Sequence, residues 1–274
     1  MALLVRAALT AVVPELFHVN CRSLVIVGRL PDAVLEAATK HQVNLIVVGS
    51  RRGNGAQGVG RMVRGLIRAA SCPVLVVNRS VAGPYARITV PVDLSDASAR
   101  ALRSVASLGL EDHARVTVVH AFEVLGKPKL SGFGIPREQI DGYVEGWRSS
   151  FAEETDAFLE AEGLAGRDWA RRVVEGRPNE VIAGLAARAC SELLAMGTRA
   201  RTGFRRVLLG SVNEGVLAAG ALDVLVVPPP RPGASGRLGR PGRPLPVTAP
   251  VRTYGSSGHE RRRLPAAFER AFGE

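Results

Sequence analysis

Residues 193–227 combine an apolar strand, a loop rich in glycine and arginine, and the polar start of a helix. The loop ends at Gly210 and Ser211, where we predict that the helix begins, and a second apolar strand follows at 224–227. Glycine lets a backbone approach an anion closely, and the N–H groups and dipole of a helix N-terminus favour negative charge. This order of strand, glycine loop and helix therefore predicts a phosphate-binding site.

Much of this stretch occurs twice in the chain. Residues 24–77 align with residues 172–227, and Gly49 in the first copy matches Gly197 in the second. A long internal repeat is typical of two copies of one domain. The second copy also has an opening segment, from about Ala86 through its second strand, that has no counterpart in the first copy.

These patterns divide the chain into three parts. We predict a partial domain at 1–82 that lacks its first two strands, a complete domain at 86–229, and a disordered basic tail at 230–274. The end of the chain, residues 228–274, contains nine Pro and seven Gly. Such a segment buries too little apolar surface to offset the entropy lost on ordering.

The second copy alternates apolar strands with amphipathic helices. This alternation predicts an α/β fold, a parallel sheet with helices on both faces, whose ligands bind at the carboxyl ends of the strands. The predicted strands are 88–92, 116–121, 172–174, 193–196 and 224–227, and the predicted helices are one capped by Ser95, 143–161, 179–190 and one from Gly210. In the first copy, strands are predicted at 24–27, 45–48 and 74–77.

Charge and cysteine usage exclude several functional classes. The net charge is +11, but residues 228–274 hold nine Arg against three Glu, so the folded part is only mildly basic and no specific nucleic-acid binding is expected. Cys21, Cys72 and Cys190 form no CxxC or metal-ligand spacing, which favours a reducing, cytoplasmic location. The uncharged run at 7–14 is too short to span a bilayer, so no membrane segment is expected.

The second copy resembles the universal stress protein family. The family's nucleotide motif, G-x2-G-x9-G-[ST], begins here at Gly197 and ends at Gly210 and Ser211, with Ala200 at the second glycine position. An alanine fits there if its backbone has a negative φ. The segment VPVDLSDASARAL, which contains Asp93, resembles the part of the family that contacts adenosine. The chain is thus identified as a tandem member with a truncated first domain.

The resemblance implies a Rossmann-like or flavodoxin-like sheet that binds ATP in the second domain, with Mg²⁺ carried by the nucleotide. Asp93 would accept hydrogen bonds from adenosine, strand ends would line the base pocket, and the glycine loop would hold the phosphates. His120, at the end of the second strand, resembles the next piece of the adenine pocket. The residues implied to contact the nucleotide are Val92, Asp93, Ala121, Met196, Gly197, Ala200, Gly203, Gly210, Ser211, Val212 and Asn213.

The family also pairs through its last strand. We therefore predict that residues 73–77 lie antiparallel to residues 223–227, which gives a pseudo-dimer within one chain, or that the same strands form a homodimer. In the first copy, Arg52 and Arg61 replace motif residues, so no nucleotide is expected there.

The favoured function is a non-catalytic, ATP-binding stress or signalling protein. Two alternatives stay open: a degenerate, nucleotide-free dimerising scaffold of the same family, and an enzyme related to adenine nucleotide alpha hydrolases. The loop offers Arg, Ser and Asn, and the carboxylates near it in the motif are Glu214 and Asp93. This set favours binding over a main catalytic role.

Overall fold

The computed structural model describes residues 24–49, 60–79, 83–124, 127, 132–133, 135–188, 191–200, 207–208 and 222–229. The chain divides into two compact units, residues 1–42 and 43–274. The predicted helix at Gly210 and the tail at 230–274 lie outside the described residues. The boundaries of the two sequence repeats stay a prediction.

In the first unit the described residues form one helix, α1 (Asp32–Lys40), none of whose residues is buried. The strand predicted at 24–27 is wrong: these residues form no ladder, and the exposed fraction rises from 48% at Leu24 to 99% at Val27. Residues 172–174, which match this segment in the second copy, pair with a strand that the first copy lacks. Without that neighbour, an apolar and β-prone segment has no ladder to join.

The second unit contains four described helices and nine described strands. The helices are α2 (Arg61–Ala69), α3 (Asp96–Ser107), α4 (Arg137–Ala161) and α5 (Pro178–Arg188). The strands are β1 (Ile46–Gly49), β2 (Val74–Val77), β3 (Arg87–Val92), β4 (Arg115–Phe122), β5 (Ala170–Glu175), β6 (Leu193–Gly197), β7 (Arg199–Ala200), β8 (Val207–Leu208) and β9 (Asp223–Val227). Among the described helices, none has the length and apolarity needed to cross a bilayer.

Seven strands form one sheet in the order β1-β2-β9-β6-β3-β4-β5. All neighbours are parallel except β2 and β9, and β7 and β8 form a separate antiparallel pair. Helix α3 packs on β3, β6 and β9, while α2, α4 and α5 pack on β2, β5 and β4 respectively. The predicted Rossmann-like α/β fold is confirmed.

The core lies between α3 and the central strands. Leu102 and Val105 of α3 are fully buried, and they belong to one apolar cluster with Val90 of β3 and Leu225 of β9. Leu75 of β2 belongs to the same cluster. A strand from the first sequence copy therefore contributes to the core of the second.

The seam between β2 and β9 joins the two sequence copies within one sheet. The strands are antiparallel, with Leu75 opposite Leu225 at the centre of the register. Every residue of β9 is buried, because β6 pairs with its other edge. The predicted antiparallel pseudo-dimer within one chain is confirmed.

Asp223 stabilises one end of this seam. Its side chain is 5% exposed, and its carboxylate accepts hydrogen bonds from the backbone N–H groups of Asn78 (2.7 Å) and Arg79 (3.0 Å) and from the Tyr85 hydroxyl (2.8 Å). Burial, followed by the bond to Asp223, raises the pKa of Tyr85, so this hydroxyl stays a donor. One carboxylate thus holds the segment that links the two copies.

We expect Asp223→Ala to lower the free energy of unfolding by about 2–4 kcal/mol, because three donors lose a buried acceptor. Tyr85→Phe removes one of the three bonds and should cost about 1 kcal/mol. Urea unfolding followed by circular dichroism measures both. Equal losses of unfolding free energy in the two variants would mean that the hydrogen bonds from the two backbone donors contribute nothing to stability.

Candidate functional site

The candidate site lies where β3 and β6 end side by side at the centre of the sheet. The chain continues from β3 to β4 on one side of it, while β6 lies on the other side. This is the topological switch point at which open α/β sheets bind ligands. The ladder between β3 and β6 stops at Thr89 and Leu194, three residues before each strand ends.

The structure brings together the predicted residues that it describes at this edge. Val92 and Met196 are buried at the ends of β3 and β6, Ala121 is half-buried near the end of β4, and Asp93 is exposed just beyond β3. The remaining predicted contacts lie outside the described residues: Gly203, Gly210, Ser211, Val212 and Asn213. Their part in a site stays a prediction.

Ala200 is described through its backbone. It pairs with Val207 in the short antiparallel ribbon of β7 and β8, so its backbone is extended, a conformation with negative φ. The position where the family motif has its second glycine therefore needs no left-handed backbone here. An alanine meets no conformational penalty at this point of the loop.

Asp93 is held by the first turn of α3. One of its carboxylate oxygens accepts hydrogen bonds from the hydroxyls of Ser98 (2.7 Å) and Ser95, and from the Ser95 N–H (3.3 Å). Ser95 and Ser98 also form the capping box that starts the helix. The carboxylate is thus fixed at the strand end, and it belongs to the structure of the helix start as well as to the candidate site.

Gly197 is a point of close contact between α3 and the sheet. A Cβ built at this position would lie 1.8 Å from the carbonyl oxygen of Ala97. The φ of Gly197 is not positive, so space and not backbone conformation requires glycine here. The backbone of α3 therefore packs against Gly197, and the approach of a phosphate to this glycine stays a prediction.

Arg100 and Thr198 extend the site, and sequence reasoning missed both. The Arg100 guanidinium donates to the carbonyl oxygens of Thr198 (2.8 Å) and Pro228 (3.2 Å), the residues that directly follow β6 and β9. Thr198 is buried and donates from its N–H to the carbonyl of Val227 (2.9 Å). Arg100 lies four residues after Asp96 on α3, a spacing that indicates an ordinary surface ion pair and gives no sign of this contact.

His120 is a buried imidazole beside the same edge. Its Nδ1 lies 3.1 Å from the carbonyl oxygen of Val92, and since a carbonyl only accepts, Nδ1 carries the proton. The ring packs on Phe151 at a centroid distance of 4.9 Å. Burial lowers the pKa of His120, while the bond to Val92 and the carboxylates of Glu154 and Asp93 oppose that shift. The ring therefore favours the neutral form.

These groups suit the binding of a polar ligand. They offer a fixed carboxylate, a cation anchored between two strand ends, and apolar strand-end side chains. Within the described ranges, no cluster of three or more His, Cys, Asp or Glu side chains is placed to hold a metal ion.

We expect Gly197→Ala to destabilise the fold by roughly 3 kcal/mol or more, because a methyl group would overlap backbone that cannot rotate away. Gly146 in α4 is a matched control: a Cβ there meets no atom within 4 Å. Gly146→Ala should be neutral or stabilise by about 0.5–1 kcal/mol. Thermal unfolding measures both, and a Gly197→Ala protein as stable as the wild type would contradict the close contact.

We also expect a pH dependence from His120. Because its pKa is lower in the folded protein than in the unfolded chain, its contribution to stability is complete above the ordinary histidine value of about 6.5 and is lost as pH falls below it. Unfolding free energies from pH 5 to 8 measure this loss. His120→Gln should flatten the curve and His113→Gln, at an exposed position, should not; an unchanged slope in His120→Gln would contradict the assignment.

Comparison with known proteins places this chain in a family. The universal stress protein family matches residues 4–78 and 84–228. A universal stress protein of Methanocaldococcus jannaschii is 31% identical over 151 residues, which cover 54% of this chain and 84% of that protein. One from Mycobacterium tuberculosis H37Rv is 28% identical over 201 residues, and the alignment spans 62% of its length.

A crystal structure of a putative universal stress protein from Pseudomonas aeruginosa UCBPP-PA14 shares the fold. Its TM-score is 0.59 at 22% sequence identity, and the match covers 82% of this chain and 78% of that one. The family matches both copies of the internal repeat, on either side of a short gap at residues 79–83. The chain therefore belongs to the universal stress protein family, as a member with two tandem segments.

Proposed function

We propose that this protein binds ATP, or a closely related adenine nucleotide, at the carboxyl edge of β3 and β6, and that it acts in a stress response or in signalling without a main catalytic activity. The observation that carries the proposal is the meeting of Asp93 and Gly197. These residues begin the two halves of the nucleotide motif, and they stand at the ends of neighbouring strands. The proposed location is the cytoplasm.

The adenosine half of the proposed site is built around Asp93. Its carboxylate is exposed and already oriented by Ser95 and Ser98, so a ribose or adenine donor meets an acceptor that needs no reorganisation. Val92 and Met196, buried at the same edge, offer an apolar surface for the base. Small-molecule sites usually combine an apolar lining with a few polar groups that orient the ligand.

The phosphate half begins at Thr198, directly after β6. The chain then enters the β7 and β8 ribbon, and the sequence continues to Gly210 and Ser211. Arg100 places a positive charge at the start of this loop. A triphosphate brings its own Mg²⁺, which neutralises part of its charge, so this site needs no metal ligands of its own.

The nucleotide-free scaffold is the second candidate, and a specific observation favours it. Gly197 is explained by its contact with Ala97, and Asp93 by its bonds to the helix start, so neither residue requires a nucleotide. The seam of β2 and β9 already pairs the two copies within one chain, and no nucleotide is needed for that pairing. Binding measurements separate the two candidates.

Calorimetric titration of the full chain with Mg-ATP should show about one site per chain. Asp93→Asn should weaken binding about tenfold, because it removes one charged acceptor, and Gly210→Asp should abolish it by placing a carboxylate against the phosphates. Asp112→Asn, in the turn that precedes β4 at the opposite edge of the sheet, is the control. No heat of binding at millimolar ATP in the wild type would favour the scaffold.

A further inference from the structure

Arg100 is an unusual residue for the face of a helix that packs on a sheet. It lies in the second turn of α3, and its side chain reaches over the ends of two strands. Its Nη2 donates to the carbonyl oxygen of Thr198 at 2.8 Å, and its Nε donates to that of Pro228 at 3.2 Å. One guanidinium therefore ties the residue after β6 to the residue after β9.

The surroundings of this guanidinium keep it charged while they remove part of its water. Burial lowers the pKa of Arg100, and the nearby carboxylate of Asp96 opposes that shift. Its hydrogen-bond acceptors are two neutral carbonyl oxygens, and the described residues form no salt bridge with it. A cation that is half-desolvated and bound to neutral dipoles attracts an incoming anion more strongly than a solvated cation does.

Thr198 is held from both sides by these contacts. Its N–H donates to the carbonyl oxygen of Val227 at 2.9 Å, its hydroxyl donates to the same oxygen at 3.2 Å, and its own carbonyl accepts from Arg100. In a planar trans peptide the C=O and the following N–H point in opposite directions. The contact of Arg100 with Thr198 therefore also fixes the direction of the Arg199 N–H, the next amide of the loop.

We propose that Arg100 is a positioning residue for the phosphate loop and that its charge makes the site prefer phosphorylated adenosine over adenosine itself. This inference rests on the proposed function, which it deepens by naming the side chain that recognises the phosphates. Arg100 fixes Thr198, where the proposed phosphate loop begins, and supplies positive charge beside it. Asp93, directly after β3, recognises the nucleoside.

The test compares two ligands on the wild type and two variants of the full chain. Calorimetry measures the affinities for Mg-ATP and for adenosine in the wild type, Arg100→Met and Arg100→Lys. Arg100→Met keeps the length of the side chain and should weaken Mg-ATP binding about tenfold while adenosine affinity stays within about twofold. Arg100→Lys keeps the charge but loses the two-pronged contact, so its affinity for Mg-ATP should be intermediate.

Arg103→Met is the matched control. Arg103 lies on the same helix and pairs with Glu162, far along the chain from the loop, so its loss should change neither affinity. If Arg100→Met weakens both ligands equally, Arg100 has only a structural role and the inference is overturned; an unchanged ratio of affinities overturns it as well. Absence of Mg-ATP binding by the wild type overturns the proposed function and this phosphate preference together.

Discussion

The pairing of β9 on both of its edges is the constraint on which the rest of the structure depends. On one edge β9 is parallel to β6, and on the other it is antiparallel to β2. An apolar strand exposed at the edge of a sheet invites association with other chains. Here a strand from the same chain covers that edge, and the carboxylate at the start of β9 holds the residues that directly follow this strand.

The same strand connects the seam with the candidate site. The carbonyl of Val227, at the end of β9, accepts both bonds from Thr198, and the next carbonyl accepts from Arg100. The start of the candidate phosphate loop is thus built on the strand that joins the two copies. A change in the position of β9 would reach the loop through backbone hydrogen bonds, with no intermediate side-chain packing required.

Sequence patterns correctly predicted the strands that have a pairing partner in the chain. Each of the five strands of the second copy appears within two residues of its predicted bounds, because each pairs with another strand of the same copy or with β2. The strand predicted at 24–27 was wrong because this segment has no such partner. Its composition favours a strand, but a strand forms only when another strand pairs with it. Its exposed valines and isoleucine show that hydrophobicity alone does not place a segment in a sheet.

Strand β1 of the first copy is more exposed than β6, its counterpart in the second copy. Val47 of β1 is 59% exposed, whereas Ala195, its counterpart in β6, is fully buried, since β6 lies between β9 and β3 and is covered by α3, while the described part of the sheet ends at β1. The two strands have similar apolar sequences, so their burial differs because of their neighbours and not because of their composition.

The candidate site was predictable in its location but not in its internal contacts. A glycine motif at the end of a strand indicates a place where backbone approaches something closely, and Gly197 is such a place. The motif does not say that the first turn of a helix from the same domain packs against this glycine, as Ala97 does here. Asp93 likewise serves the fold as well as the candidate site. Its carboxylate holds the start of α3, and it is also an acceptor at the carboxyl end of β3, beside the switch point. A domain that uses its motif residues to hold α3 against β6 retains its fold when the ligand is absent. The residues proposed to contact a nucleotide are thus already needed by the fold itself.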